Sequence, residues 1–205
     1  MSQVIVFQSL SSSGATSFVL NLGIGILQFW KDKKVLLISS GQQNNIPVYC
    51  AKNVEKKKEG FVFSGMDIKD FEVKEKCLEN YDYIIVDLDR SASTSNQQFW
   101  HKKMDIHIGV LSLMPSCFAH ANILKTIKKN PNVISYTFLN LVRGLTDKQA
   151  REYAIKNGVL PDVIFPYEAK TFWKQVFMGV PVLSQRSSRW GRCLSQFTKD
   201  HILHA

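Results

Sequence analysis

The sequence predicts an α/β protein: a doubly wound, mostly parallel sheet with helices on both faces. Short aliphatic runs alternate with segments of helical period, and the runs are continuous rather than interleaved with polar residues. Strands buried on both faces read this way, because neither side meets water. A serine-rich turn, "SLSSSGATSF" (Ser9 to Phe18), lies between the first run and the first helix, where strand–loop–helix folds hold anions. At 205 residues and 45% hydrophobic content, the chain suits a single domain over residues 1–205 with one sizeable core.

Taken in order, Val4–Gln8 is the first strand and Thr16 to Trp30 the first helix. Lys34–Ile38 is a second strand, stopped by Ser39-Ser40-Gly41. The lysine-rich segment Val48–Gly60 reads as a loop or peripheral helix. Tyr83–Val86 is a third strand ending in Asp87, and His107–Leu113 a fourth. Cys117–Lys129 reads as a helix with apolar residues at Phe118, Ala121, Ile123, Leu124 and Ile127. Val133–Leu141 is a fifth strand. Asp147–Asn157 is a helix capped by Thr146 and closed by Gly158. Val163–Phe165 is a short sixth strand, and a last helix runs from Ser188 to Leu203. Ligands of such sheets bind at the carboxyl ends of the strands, so the residues after Gln8, Ile38, Val86, Leu141 and Phe165 are the candidates.

Composition excludes several classes. The first apolar run, Val4–Phe7, is four residues without a basic flank, unlike a signal peptide. The longest apolar stretch, Phe18 to Trp30, is interrupted by Asn21 and Gln28 and falls short of the roughly 20 residues a membrane span needs. A cytoplasmic protein is expected. Cys50, Cys77, Cys117 and Cys193 form no CxxC pair, so zinc and redox chemistry are not indicated. The net charge of +9 admits an acidic partner, although the basic residues are dispersed and suit solvated helix ends equally well.

A phosphate loop needs glycines to turn its N–H groups inward, a lysine for the β- and γ-phosphates, and Ser or Thr for magnesium. Gly14 and Thr16 fit, whereas Ala15 stands at the lysine position. Serines at a helix start are also ordinary caps. In "YDYIIVDLD" (Tyr81 to Asp89), Asp87 at a strand tip is placed as a magnesium-organising carboxylate, or as a turn cap.

Six motifs together resemble the ParA/MinD (deviant P-loop, SIMIBI) superfamily over nearly the whole chain. "VIVFQSLSSSGATSFVLNLGIGI" resembles its strand, KGGxGKTT loop and following helix, and "DKKVLLISSGQQNN" is similar to "gkkVLLIDxDpQgn". "YDYIIVDLDRSAS" is similar to "YDyiiiDtPp", and "VLSLMPSCFAHANILKTI" looks like "vlvvtpe…l.da.kli". "YTFLNLVRG" resembles "viNrv", and "VIFPYEAKTFWKQVFMGVPVLSQRSSRWGRCLSQF" is similar to "IPyd..v.eA...G.Pv…s…a…la". The resemblance implies a P-loop NTPase-like fold. It implies nucleotide contacts from Ser11, Ser12, Ser13, Gly14, Ala15, Thr16, Ser17, Asn140, Pro166 and Tyr167, with Asn140 facing adenine. Thr16 and Asp87 are implied as magnesium residues.

The chain departs from the family where chemistry matters. The signature lysine falls on Leu10 and the P-loop lysine on Ala15. The strand-two aspartate falls on Ser39, and two glycines are Ser11 and Ser12. Finger-type charges in phosphoryl transfer are worth about 10³–10⁵ in rate, so the expectation is a pseudo-ATPase that holds ATP with magnesium weakly or not at all. "GAT" resembles the CpaE/TadZ pilus-assembly branch, and "DLDRSAS" resembles "DLPRDAS" of the BcsQ cellulose-secretion branch. The resemblance thus implies a dimeric (homo or hetero) adaptor or positioning factor of an envelope secretion or assembly machine. Its place would be cytoplasmic, or peripheral at the inner membrane.

Other readings stay open at this point. Arg186, Arg189 and Arg192 suit DNA, as in a ParA-like partition protein, or anionic membrane. The stripe Trp190, Leu194, Phe197, Ile202, Leu203 suits membrane contact or, more ordinarily, core packing. A competent ATPase needs a replacement lysine from elsewhere, and nothing in the sequence nominates one. Phe99, Trp100, Phe172 and Trp173 mark either a partner surface or core.

Overall fold

The computed structural model describes residues 2–9, 14–40, 55–57, 60–70, 75–89, 91–119, 121–142, 144–185 and 187–203. Strand β1 (Gln3–Ser9) is central, parallel to β6 (Tyr83–Leu88) on one side and β7 (Ile106–Leu111) on the other. Beyond β6 come β2 (Val35–Ser39) and β5 (Met66–Asp70), both parallel. The sheet continues antiparallel through β4 (Gly60–Phe63) to β3 (Glu55–Lys57). Beyond β7 lie β8 (Ile134–Val142) and β9 (Val163–Pro166), both parallel. The described strands thus form one nine-stranded, mostly parallel sheet.

Residue parity explains the continuous apolar runs. Ile5 and Phe7 face one core with Val35, Leu37, Tyr83 and Ile85. Val4 and Val6 face a second core with Leu36, Ile38, Ile84 and Val86. Helices α1 (Ala15–Phe29) and α8 (Arg189–Phe197) supply the first core. Trp100 of α3 (Thr94–Lys103) and Ile127 of α5 (Ala121–Lys128) supply the second. Strands β1, β2 and β6 are therefore apolar on both sides, as the centre of a doubly wound sheet requires.

Several local expectations change. The segment Val48–Gly60 was expected to be a loop or peripheral helix. Its described part instead holds β3 and the start of β4, while 41–54 lies outside the described residues. Strands β4 and β5 turn at Ser64 (φ 49°) and Gly65 (φ 85°), the paired positive φ of a tight hairpin. Cys117–Lys129 divides into α4 (Pro115–Phe118) and α5. Three further helices were not anticipated: α2 (Glu75–Leu78), α3, and α7 (Ala169–Met178). Helix α6 (Asp147–Lys156) carries the expected Thr146 cap, completed into a reciprocal box by Gln149. The last segment is α8 followed by a π turn at Thr198–Ile202.

Trp190, Leu194, Phe197 and Ile202 are buried in the first core, so this stripe is packing and not a membrane face. No helix among the described residues is long and apolar enough to cross a membrane. Of the four aromatics weighed as a partner surface, Trp100 is buried and Trp173 is 55% exposed, while Phe99 and Phe172 pack at core margins. Cys77, Cys117 and Cys193 form no disulfide, and Cys50 lies outside the described residues.

Candidate functional site

Four strand ends and one helix start converge at the carboxyl edge of the sheet. Asp87 falls inside β6 and shares the parity of Tyr83 and Ile85, which turns its carboxylate toward α1. There the Thr16 hydroxyl, in the first turn of α1, donates to Asp87 Oδ2 at 2.6 Å. Ser39, at the end of β2, is paired in register with Asp87 and is also buried. The Ser40 hydroxyl donates to the Asp87 carbonyl at 2.8 Å and accepts from the Asp89 N–H at 3.1 Å. Ser40 thereby ties the ends of β2 and β6 together.

Burial pushes the Asp87 carboxyl up to about 6; the Thr16 hydroxyl pulls it the other way, and the charge of Asp89 adds to the rise. A buried carboxylate with one hydroxyl partner is incompletely compensated as an anion. A hard cation would supply what is missing, and carboxylate and hydroxyl oxygens are donors that magnesium accepts. Among the described residues no group of three or more His, Cys, Asp or Glu could hold a metal.

Gly14 precedes α1 in the left-handed region, with φ 82°. A Cβ placed on it would meet Asn140 Nδ2 at 2.8 Å, so glycine is required for both conformation and space. Gly14→Ala is expected to cost about 1–3 kcal/mol, checked by denaturant unfolding against wild type. An unchanged midpoint would contradict this close approach.

The remaining candidates are placed as follows. Ala15 is 3% exposed and presents a methyl group at the start of α1. Ser17 faces inward: its hydroxyl accepts from Gln175 Nε2 at 3.1 Å, and its carbonyl from Asn21 Nδ2 at 2.8 Å. Asn21 also donates to Gln175 Oε1 and accepts from the Leu183 N–H, which locks α1 to α7 and to the turn at Val182–Ser184. Asn140, near the end of β8, is fully buried, and its Oδ1 accepts from the Trp190 indole N–H at 2.9 Å. Pro166 ends β9, and Tyr167 beside it is partly exposed. Glu168 then caps α8, accepting from the Ser188 hydroxyl at 2.6 Å and the Arg189 N–H at 2.7 Å. Leu10, Ser11, Ser12 and Ser13 lie outside the described residues.

Two of these residues were not legible as site elements. Ser40 read only as a strand stop. Trp190 read only as one member of an apolar stripe.

No protein-family model matches the chain, and no curated protein matches its sequence. Solved structures do match. A ParA family ATPase from Chlorobium tepidum TLS aligns with a TM-score of 0.75 at 15% identity, covering 97% of this chain and 98% of that one. The MinC:MinD cell division protein complex of Aquifex aeolicus contains a chain matching with a TM-score of 0.73 at 16% identity, over 100% and 96%. The septum site-determining protein MinD of Pyrococcus horikoshii OT3, complexed with Mg-ADP, gives 0.69 at 13%, over 99% and 98%. At these identities the likeness is one of fold: the chain has the α/β fold of the ParA/MinD P-loop ATPases.

Proposed function

We propose that this chain is a ParA/MinD-fold protein that does not turn over ATP. It serves as an adaptor or positioning factor for a bacterial envelope machine, in pilus or secretion assembly or in cellulose secretion. The observation that carries the reading is the pairing of a retained Thr16–Asp87 contact with a buried methyl at Ala15. Thr16 and Asp87 would hold magnesium, and the backbone after Gly14 would meet phosphate. Bound magnesium would neutralise phosphate charge. A transferring phosphoryl group needs further fixed cations, and at Ala15 and Ser39 the chain places a methyl and a hydroxyl instead.

With hydrolysis set aside, the fold works through surfaces. The Aquifex neighbour is part of a MinC:MinD complex, and a protein partner or a dimer is the corresponding role here. The site of action is cytoplasmic or peripheral at the inner membrane. Calorimetric titration with Mg-ATP is expected to give weak heat at most, and Thr16→Ala and Asp87→Ala are expected to abolish it. Tight binding indifferent to both substitutions would contradict the assignment of these residues.

A second reading, a DNA-binding partition-type protein, rests on Arg189 and Arg192, both exposed on α8, and on the +9 charge; Arg186 lies outside the described residues. Phosphate contacts make such affinity fall steeply with salt. Retention on DNA at low salt that is lost on raising the salt would favour it, and no retention at low salt would end it.

A further inference from the structure

We infer that Trp190 is a built-in occupant of a nucleobase-sized slot, so that the chain fills with its own side chain the place where a base would sit. The inference rests on the reading of the β1–α1 loop as the phosphate end of a nucleotide site.

Trp190 is the second residue of α8, yet it is wholly buried. Tryptophan is rarely so, because of its size. Its ring lies 4.6 Å from Phe18 at an interplanar angle of 39° and 5.2 Å from Phe165 at 49°. Phe172 meets it edge-on at 5.2 Å and 85°. The one polar edge of the indole is satisfied by Asn140 Oδ1 at 2.9 Å.

Aromatic walls with a side-chain amide at one edge are what recognises a purine. A base stacks on aromatic rings, and asparagine pairs with the amino and ring-nitrogen edge of adenine. Indole is a planar bicycle of purine-like size with one N–H donor, so it can stand in for a base amino group against Asn140. The place also fits. Asn140 lies near the carboxyl end of β8, where ligands of such sheets bind, and its amide nitrogen abuts Gly14 at the head of α1. One side chain thus touches both the ring and the loop. Any buried indole N–H needs an acceptor; here the acceptor is a residue whose amide nitrogen also meets the head of α1.

The test uses full-length protein. In wild type, ATP and inorganic tripolyphosphate are expected to bind within about twofold of each other, because the base gains no contact. In Trp190→Ala, verified as folded by thermal unfolding, adenosine is expected to bind, and ATP to outbind tripolyphosphate by about tenfold, or ~1.4 kcal/mol. A merely apolar cavity takes up an apolar ring, so indole capture without adenosine capture overturns the slot. A wild type that already prefers ATP to tripolyphosphate about tenfold overturns it as well, and this comparison needs no variant. If Trp190→Ala does not fold, the wild-type comparison of ATP with tripolyphosphate decides alone. If neither protein binds tripolyphosphate, the phosphate-loop reading fails on its own, while adenosine capture by the variant still upholds the slot and its absence overturns it.

Discussion

Phe18→Ala is expected to destabilise the protein by about 3–5 kcal/mol, the range for truncating a buried phenylalanine. Phe18 is wholly buried at the junction of α1 with the sheet. It lies 4.6 Å from Trp190, 4.7 Å from Phe165, 5.2 Å from Phe138 and 6.1 Å from Phe7. Such ring pairs are each worth about 0.5–1.5 kcal/mol beyond the area they bury. The cluster joins β1, β8, β9 and α8 to the helix that carries Thr16, so the truncation loosens the site along with the core. Guanidinium unfolding measures the loss, and a change below about 1 kcal/mol would show that the cluster collapses around the gap.

The second large effect is acid destabilisation through His107. This residue is wholly buried on β7, with ring nitrogens 3.1 Å from Gln8 Oε1 and 3.3 Å from Ser135 Oγ. Burial, with the like charges of His101 and Lys128, lowers its pKa to about 3. The folded protein therefore holds the neutral ring while the unfolded chain protonates near 6.5. The stabilisation is complete above pH 6.5 and falls away as the pH drops toward 3. The loss amounts to roughly 1.4 kcal/mol per pH unit, or about 3 kcal/mol between pH 6.5 and 4. Asp87 acts with the opposite sign. Its raised pKa penalises the ionised folded state, so protonation from pH 6 downward returns stability. Comparing wild type with His107→Gln across this range isolates the histidine. The gap between the two stability curves should close by about 3 kcal/mol on acidification, and parallel curves would contradict the buried neutral ring.

The strands of the main sheet were legible because burial on both faces leaves little room for polar residues, as in Val4–Phe7 and Tyr83–Val86. The position of Asp87 was legible too, and its direction follows from parity with Ile85. The β4–β5 hairpin was hidden by the lysine-rich sequence before it, although Ser64-Gly65 between apolar runs carried the turn signal. Helix α3 was hidden because it is polar nearly all round and buries only Trp100, leaving no stripe to read. The Ser93 side chain that caps it, accepting from the Asn96 N–H, was the one local sign. The Trp190–Asn140 contact spans 50 residues, and no local period reports such a pair.

The proposed absence of ATP hydrolysis is tested most directly by phosphate release from Mg-ATP with purified full-length protein, run beside Thr16→Ala and Asp87→Ala. All three proteins are expected to give the same background rate, because Ala15 and Ser39 leave the transferring phosphoryl group without its fixed charges. Turnover by the wild type that either substitution abolishes would contradict this.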